Sequence, residues 1–225
     1  MKIVALMSTF CEGTLAISAM RSAAMLDGIL VADGPVEGNE PDPDTITRFP
    51  DGLHVKKYFG TWPDDAGKRT WIVGEAKKLW PGELWGLWLD GDELLLWGEY
   101  LRDWLERIKL ESDDDTNPIA GWPFPLVELD GSVAICAGKL IRVDKVRQYL
   151  ASSSYVEFVN GARRTLGNVK YYDPVNGPVM ENWRARPVLA GEPHLLHRPL
   201  LRSKGRTVER QHLAEERAYK GIVLP

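Results

Sequence analysis

A chain of 225 residues, 44% hydrophobic and 27% charged, has the length and balance of a folded domain, which excludes a disordered chain and a small disulfide-held one. Its two cysteines, Cys11 and Cys136, are far apart and form no C-x-x-C pair, so neither a disulfide framework nor a zinc site is expected, and the setting is read as a reducing cytoplasm. The net charge of −4 conceals an acidic part, residues 1–138 with 12 basic against 24 acidic side chains, and a basic part, residues 139–225 with 16 against 8, which suggests that one part meets something anionic.

The chain opens on Lys2–Met7, a short apolar run that reads as a first strand and not as a signal peptide. No stretch approaches the roughly 20 apolar residues that span a bilayer, so a soluble protein with no membrane partner is predicted. Ser8–Gly13 is a polar turn. Thr14–Leu26 has apolar residues at helical spacing, and Gly28–Ala32 is a second strand ending in Asp33-Gly34-Pro35. Strand, crossover helix and strand imply parallel pairing with a right-handed connection, and in such sheets ligands bind outside the carboxyl ends of the strands.

Residues 34–51, rich in Pro, Gly and acids, form a loop. Leu53–Phe59 is a short strand, and Lys68–Leu79 is a second crossover helix. That helix leads to the most informative segment. The apolar run Leu84–Leu89 ends in Asp90-Gly91-Asp92-Glu93, three carboxylates within four residues, where strand propensity alone would not put them. Clustered acids repel one another unless a cation joins them, and Mg²⁺ or Mn²⁺ takes one or two carboxylates together with substrate phosphates. The plainer alternative is an acidic turn entering a helix over Leu94–Leu110.

Glu111–Gly121, with its run of three Asp, is a solvated loop. Phe124–Val143 reads as two strands around an Asp130-Gly131 turn, Asp144–Leu150 as a short helix, and Tyr155–Phe158 as a strand. Gly161–Pro178 is loop, and 203–220 is a charged helical tail. Pro193–Pro199 carries His194 and His197 beside Arg198, with Arg202 beyond. Both histidines would share a face only in a helix, which the flanking prolines oppose.

A strand-helix-strand start, an acid closing the second strand and a later helix feeding an LDGDE strand end resemble the GT-A glycosyltransferases, in particular the family-2 type. The likeness covers residues 1–110 and extends loosely over the rest. It departs at Ala32-Asp33-Gly34-Pro35, where that family usually has two acids before the glycine. The resemblance implies a Rossmann-like α/β fold with a mostly parallel central sheet flanked by helices. Residues 1–110 would form the nucleotide-sugar half, and 111–225 the acceptor half with a basic C-terminal helical part, within one domain.

It further implies that Asp33 bonds the base or ribose of a UDP-sugar donor, and that Ser8, Thr9, Phe10 and Glu12 line the nucleoside pocket. Lys68, Arg69, Arg198 and Arg202 would approach the diphosphate. Asp90 would touch ribose and metal, Asp92 would ligate Mn²⁺ or Mg²⁺, and His197 or His194 would complete the ion's shell. Asp173, beside Tyr171 and Tyr172, is the candidate base among Glu128, Asp130, Asp173 and other acids of the second half. Trp62, Trp122 and Trp183, read as loop residues, are candidates to stack on sugars or bases.

Small soluble proteins of this type include phage enzymes that glucosylate hydroxymethylated pyrimidines. With a basic second half, the expected acceptor is therefore 5-hydroxymethylcytosine in duplex DNA, in the host cytoplasm if the chain is phage-encoded. The alternatives are a saccharide or cell-envelope acceptor, a nucleotidyltransferase, and a non-catalytic interaction protein.

Overall fold

The computed structural model describes residues 1–10, 12–36, 46, 49, 54–112, 121–150, 155–158, 163–165, 171–173, 177–179, 188 and 190–198. The first half follows the predicted order: β1 (Lys2–Thr9), α1 (Gly13–Ser22), β2 (Gly28–Asp33), β3 (Val55–Phe59), α2 (Asp65–Leu79) and β4 (Leu84–Trp88). Strands β1, β2, β3 and β4 are mutually parallel in the order β3-β2-β1-β4. Seven of the eight residues of β1 and all of β2 and β4 are buried, the signature of strands covered on both faces. Helix α2 begins at Asp64, whose side chain accepts from the Gly67 N–H and so satisfies one of the first-turn donors.

After β4 the chain departs from expectation. The predicted helix Leu94–Leu110 is instead a strand, β5 (Glu93–Leu96), a single 3₁₀ turn and the helix α3 (Leu101–Ser112). The break falls at Trp97, the one described non-glycine residue with positive φ, at 57°. Strand β5 forms because it pairs antiparallel with β13 (His194–His197), about a hundred residues later. Between them in chain order come β6 (Gly121–Glu128) and β7 (Val133–Arg142), the predicted hairpin, turning at Gly131 with φ +83°.

The segment predicted as a helix over Asp144–Leu150 is strand β8 (Val146–Tyr149), laid on α2 and paired with β9 (Tyr155–Phe158), which pairs in turn with β10 (Arg163–Thr165). Strands β11 (Tyr171–Asp173) and β12 (Gly177–Val179) form a separate hairpin inside a stretch read as loop. The tail 203–220 lies outside the described residues.

The main sheet has the order β3-β2-β1-β4-β7-β6-β13-β5. Six of its eight strands point the same way and β7 and β5 oppose them, the mostly parallel α/β arrangement that was expected. One apolar layer packs the sheet against α1 and α3 and includes Met7, Val31, Leu87, Trp104 and Leu195. The other, with Leu6, Leu30, Ile72, Trp88 and Tyr149, packs it against α2 and β8.

The short link from β4 to β5 shapes the site. A flat sheet would separate these strands by four spacings of about 4.8 Å, roughly 19 Å in all. Five Cα steps cover at most about 18 Å even when fully extended. Yet the link contains a turn, in which the Glu93 N–H donates to the Asp90 carbonyl at 3.0 Å. The sheet must therefore curl, and residues 89–92 cross its carboxyl edge.

Candidate functional site

Each element delivers its chemical groups to this edge by strand register. Thr9 and Asp33 are paired across parallel β1 and β2 and so share a face. The Thr9 hydroxyl donates to Asp33 Oδ1 at 2.8 Å, and the Ile46 N–H donates to Oδ2 at 2.9 Å. Asp33 is thus buried with both oxygens accepting hydrogen bonds from the protein, not turned outward to a nucleobase. Ile46 is fixed in turn by its buried side chain and by Lys57, which donates to its carbonyl.

Lys68 is likewise turned inward. Its ammonium, on a side chain only 2% exposed, donates to the carbonyls of Thr9 and Gly34 at 2.8 Å each. It staples the ends of β1 and β2 instead of facing a diphosphate. Ser8 and Phe10, which flank Thr9 in sequence, are buried as well. Glu12, 1% exposed, occupies the N-cap position of α1, and its side chain packs against Gly91 of the acidic turn.

Arg69 lies over the Trp88 ring, 4.5 Å from guanidinium carbon to ring centre, and pairs with Asp65 at 3.1 Å. Burial disfavours its charge, but Asp65, Asp90 and Tyr149 together outweigh that and hold it above the ordinary arginine value.

The acidic turn is organised by one lysine. Lys139, on β7, donates to Asp90 Oδ2 at 3.1 Å and to Glu93 Oε2 at 2.8 Å. Glu93 Oε2 also accepts from the Asp90 N–H at 2.9 Å, closing the turn on itself. Burial raises the Glu93 carboxyl above its usual range and the neighbouring Asp90 adds to this, against the pull of Lys139.

Asp92 is 0% exposed and faces His197, with Oδ2 at 3.3 Å from Nε2. On the other side of the ring, Nδ1 lies 2.9 Å from both oxygens of Glu128. Contact with Asp92 chiefly raises the His197 pKa, with Glu128 adding, while burial opposes them. The Arg198 N–H donates to the Asp92 carbonyl at 2.9 Å.

His194 does not join this group. In a strand, positions three apart face opposite sides, and His194 Nδ1 lies 2.8 Å from the Glu192 carbonyl. The structure therefore brings together Asp90, Asp92, His197 and Arg198 of the expected set, with Arg69 in electrostatic reach of Asp90. It sets Asp33, Lys68 and His194 to other tasks. Asp173 belongs by its backbone to β11 and its side chain is outside the described residues, as is all of Arg202.

Trp62 packs against the Trp71 ring at 5.0 Å, Trp122 belongs to strand β6 and not to a loop, and Trp183 is outside the described residues. The residue that sequence reasoning missed is Lys139. A lysine within the strand run Ala137-Gly138-Lys139-Leu140-Ile141, where burial is expected, was the available signal.

Among the described residues no group of three or more His, Cys, Asp or Glu side chains converges as a cage for a metal ion. The Asp92–His197 pair offers one carboxylate oxygen and one imidazole nitrogen 3.3 Å apart. That donor set fits an ion taking its remaining ligands from a phosphate-bearing substrate and water. A mixed oxygen and nitrogen pair suits Mn²⁺ better than the strictly oxygen-seeking Mg²⁺. No described helix is long and apolar enough to cross a membrane.

No protein-family model and no curated protein matches the chain. Among solved structures, S. aureus TarS 1-349 is similar at 17% identity and a TM-score of 0.37, over 64% of this chain and 47% of that one. A second structure of S. aureus TarS is similar at 14% identity and a TM-score of 0.38, over 64% of this chain and 28% of that one. The chain spans less than half the length of either.

Proposed function

We propose that this chain is a glycosyltransferase of GT-A type that uses a nucleoside diphosphate sugar, UDP-linked by the family resemblance, and a Mn²⁺ or Mg²⁺ ion. The observation that carries this reading is a fully buried aspartate, Asp92, 3.3 Å from a histidine nitrogen on the carboxyl edge of a mostly parallel sheet. An α/β sheet collects ligands at that edge, and a buried carboxylate facing an imidazole is suited to a divalent ion. Asp92 and His197 would hold the ion, which when bound supplies positive charge to the departing diphosphate. Lys139 keeps Asp90 and Glu93 from repelling one another, so that the turn presents Asp92 in a fixed place. Arg69, held over Trp88, adds positive potential beside Asp90.

For the acceptor we favour a hydroxyl of a saccharide or a related neutral polyol. At the described edge Lys139 joins Asp90 and Glu93, and His197 lies between Asp92 and Glu128, so acids and bases are paired there and no stretch of unopposed positive charge marks a polyanion track. The duplex-DNA acceptor rested on the basic second half, residues 139–225, and its arginines at 163, 164, 184, 186, 202, 206 and 210 have side chains outside the described residues.

The test is thermal melting with UDP, GDP and their sugars, each with and without Mn²⁺, followed by release of the nucleoside diphosphate in the presence of oligosaccharides or hydroxymethylated duplex DNA. One nucleotide should stabilise the wild type only with metal, by about 2.7 kcal/mol at a hundredfold excess over Kd, and Asp92→Asn should abolish the effect. No stabilisation by any nucleotide with metal would overturn the reading. Turnover on DNA alone would overturn the choice of acceptor.

A further inference from the structure

We infer that Glu128 is the positioning residue that prepares His197 as an ion ligand, by fixing which ring nitrogen carries hydrogen and where the other one points. This rests on the donor-site reading above and deepens it.

The argument begins with strand register. His197 on β13 is the direct partner of Glu128 on parallel β6 and of Glu93 on antiparallel β5. Direct partners project from the same face, so Glu93, His197 and Glu128 form one row across three strands. Glu128 is itself locked at the β6–β7 hairpin. Its N–H donates to the Ser132 carbonyl at 2.8 Å, and its carbonyl accepts from the Gly131 N–H at 2.9 Å. The Asp130 side chain closes the same turn by accepting from the Ser132 N–H at 2.8 Å.

From that anchored position both Glu128 oxygens lie 2.9 Å from Nδ1, so the carboxylate straddles the end of the ring. An ionised carboxylate only accepts hydrogen bonds, so Nδ1 carries a hydrogen toward Glu128. Nε2, 3.3 Å from Asp92 Oδ2, is then the nitrogen whose place toward Asp92 an ion would share. Metal-bound imidazoles usually send their second N–H to a carboxylate, which fixes the ring and raises its basicity. The same geometry separates Glu128 from the candidate bases, because its oxygens are turned to His197 and not to an acceptor.

The test uses the full chain with Glu128→Ala, Glu128→Gln and His197→Gln. The readouts are Mn²⁺ affinity in the presence of UDP by calorimetry, and the spin-echo signature of a nitrogen bound directly to Mn²⁺. Wild type should show the nitrogen signal, and Glu128→Ala should lose it together with about 10- to 100-fold in Mn²⁺ affinity. Glu128→Gln, whose amide oxygen still accepts from Nδ1–H, should keep the signal with a smaller loss of affinity, which guards against a variant that merely folds poorly. Glu128→Ala binding Mn²⁺ as tightly as wild type, with the nitrogen signal intact, overturns the inference and leaves the donor site standing. So does a lowered melting temperature in Glu128→Ala with the signal and affinity unchanged. Wild type that binds no Mn²⁺ with UDP or GDP removes the donor-site reading, and this inference with it.

Discussion

Gly91, between the two aspartates of the acidic turn, tests whether that turn is held by Glu12. A methyl group at position 91 would lie 2.8 Å from Glu12 Oε2, 2.9 Å from its Cβ and 3.1 Å from its Cδ. Gly91 does not have a positive φ, so alanine meets no backbone strain there, and the effect isolates the side-chain clash. Oε2 is the far end of a flexible chain and yields cheaply, whereas Cβ is fixed by the backbone at the N-cap of α1. Gly91→Ala therefore has to move either α1 or the turn. Overpacking of this kind costs about 1–3 kcal/mol, which for a chain of this size lowers the melting temperature by roughly 2–4 °C per kcal/mol. The relief series is graded. Adding Glu12→Ala removes Oε2 and Cδ but leaves Cβ, so recovery is partial, while adding Glu12→Gly removes all three contacts, and glycine is tolerated at an N-cap. A cycle by thermal denaturation should give a coupling of about 0.5–3 kcal/mol, with metal-dependent nucleotide binding recovering in the same order. Gly91→Ala as stable as wild type, or a recovery equal in the two double variants, would refute the packing of Glu12 under the turn.

Three further outcomes follow from buried groups. The Trp88 indole N–H donates to the Tyr149 hydroxyl at 2.7 Å, so Tyr149→Phe should cost about 1–3 kcal/mol in urea denaturation at neutral pH by leaving a buried donor unsatisfied. Burial raises the Tyr149 phenol far above its usual range, against the pull of Arg69 and Trp88. A raised folded-state pKa contributes stability that is complete below the ordinary phenol value near 10 and is lost as pH rises toward the folded one. Wild type should therefore lose stability above about pH 10 faster than Tyr149→Phe, and parallel curves would contradict this. Lys68→Met keeps the aliphatic stem but removes both donors to Thr9 and Gly34, and should cost about 1.5–3 kcal/mol in thermal denaturation. A variant that melts like wild type yet binds nucleotide poorly would restore the diphosphate role to Lys68.

What could be read from the sequence was whatever left a local mark. The parallel opening showed because each strand was an apolar run separated by a helical period, and the acidic turn because carboxylates ended such a run. The Asp130-Gly131 hairpin showed because its turn needs the positive φ that Gly131 adopts. The errors arose where pairing over long sequence distance decided the outcome. Glu93–Leu96 is strand only because β13 lies alongside it, and nothing within a dozen residues signals that partner. At 144–150 the buried residues Val146 and Tyr149 are three apart, which is a helical spacing. They are compatible with a strand because the register with β9 shifts between Val146 and Gln148, and the extra residue turns both inward. His194 and His197 present the reverse case, a spacing of three in a regular strand, which separates them onto opposite faces.

Asp33 and Lys68, which the structure engages within the protein, share one feature. Asp33 and Lys68 stand at strand ends on the edge where ligands bind, and by position alone either could face a ligand. At such an edge, however, the strands also end with backbone and side-chain groups that have no neighbour in the ladder, and these need partners of their own. Lys68 meets two carbonyls in this way, while Asp33 meets one hydroxyl and one N–H. Lys139 performs the comparable service for Asp90 and Glu93 by donating to both. Asp92 differs, because the group facing it is an imidazole, which can give up the proton at Nε2 and become an ion ligand while Glu128 retains the one at Nδ1. An ion arriving at this edge would have to displace a lysine from Asp90 or Glu93, but only a proton from His197. In the proposed donor site the choice of compensating group would therefore direct the ion to Asp92.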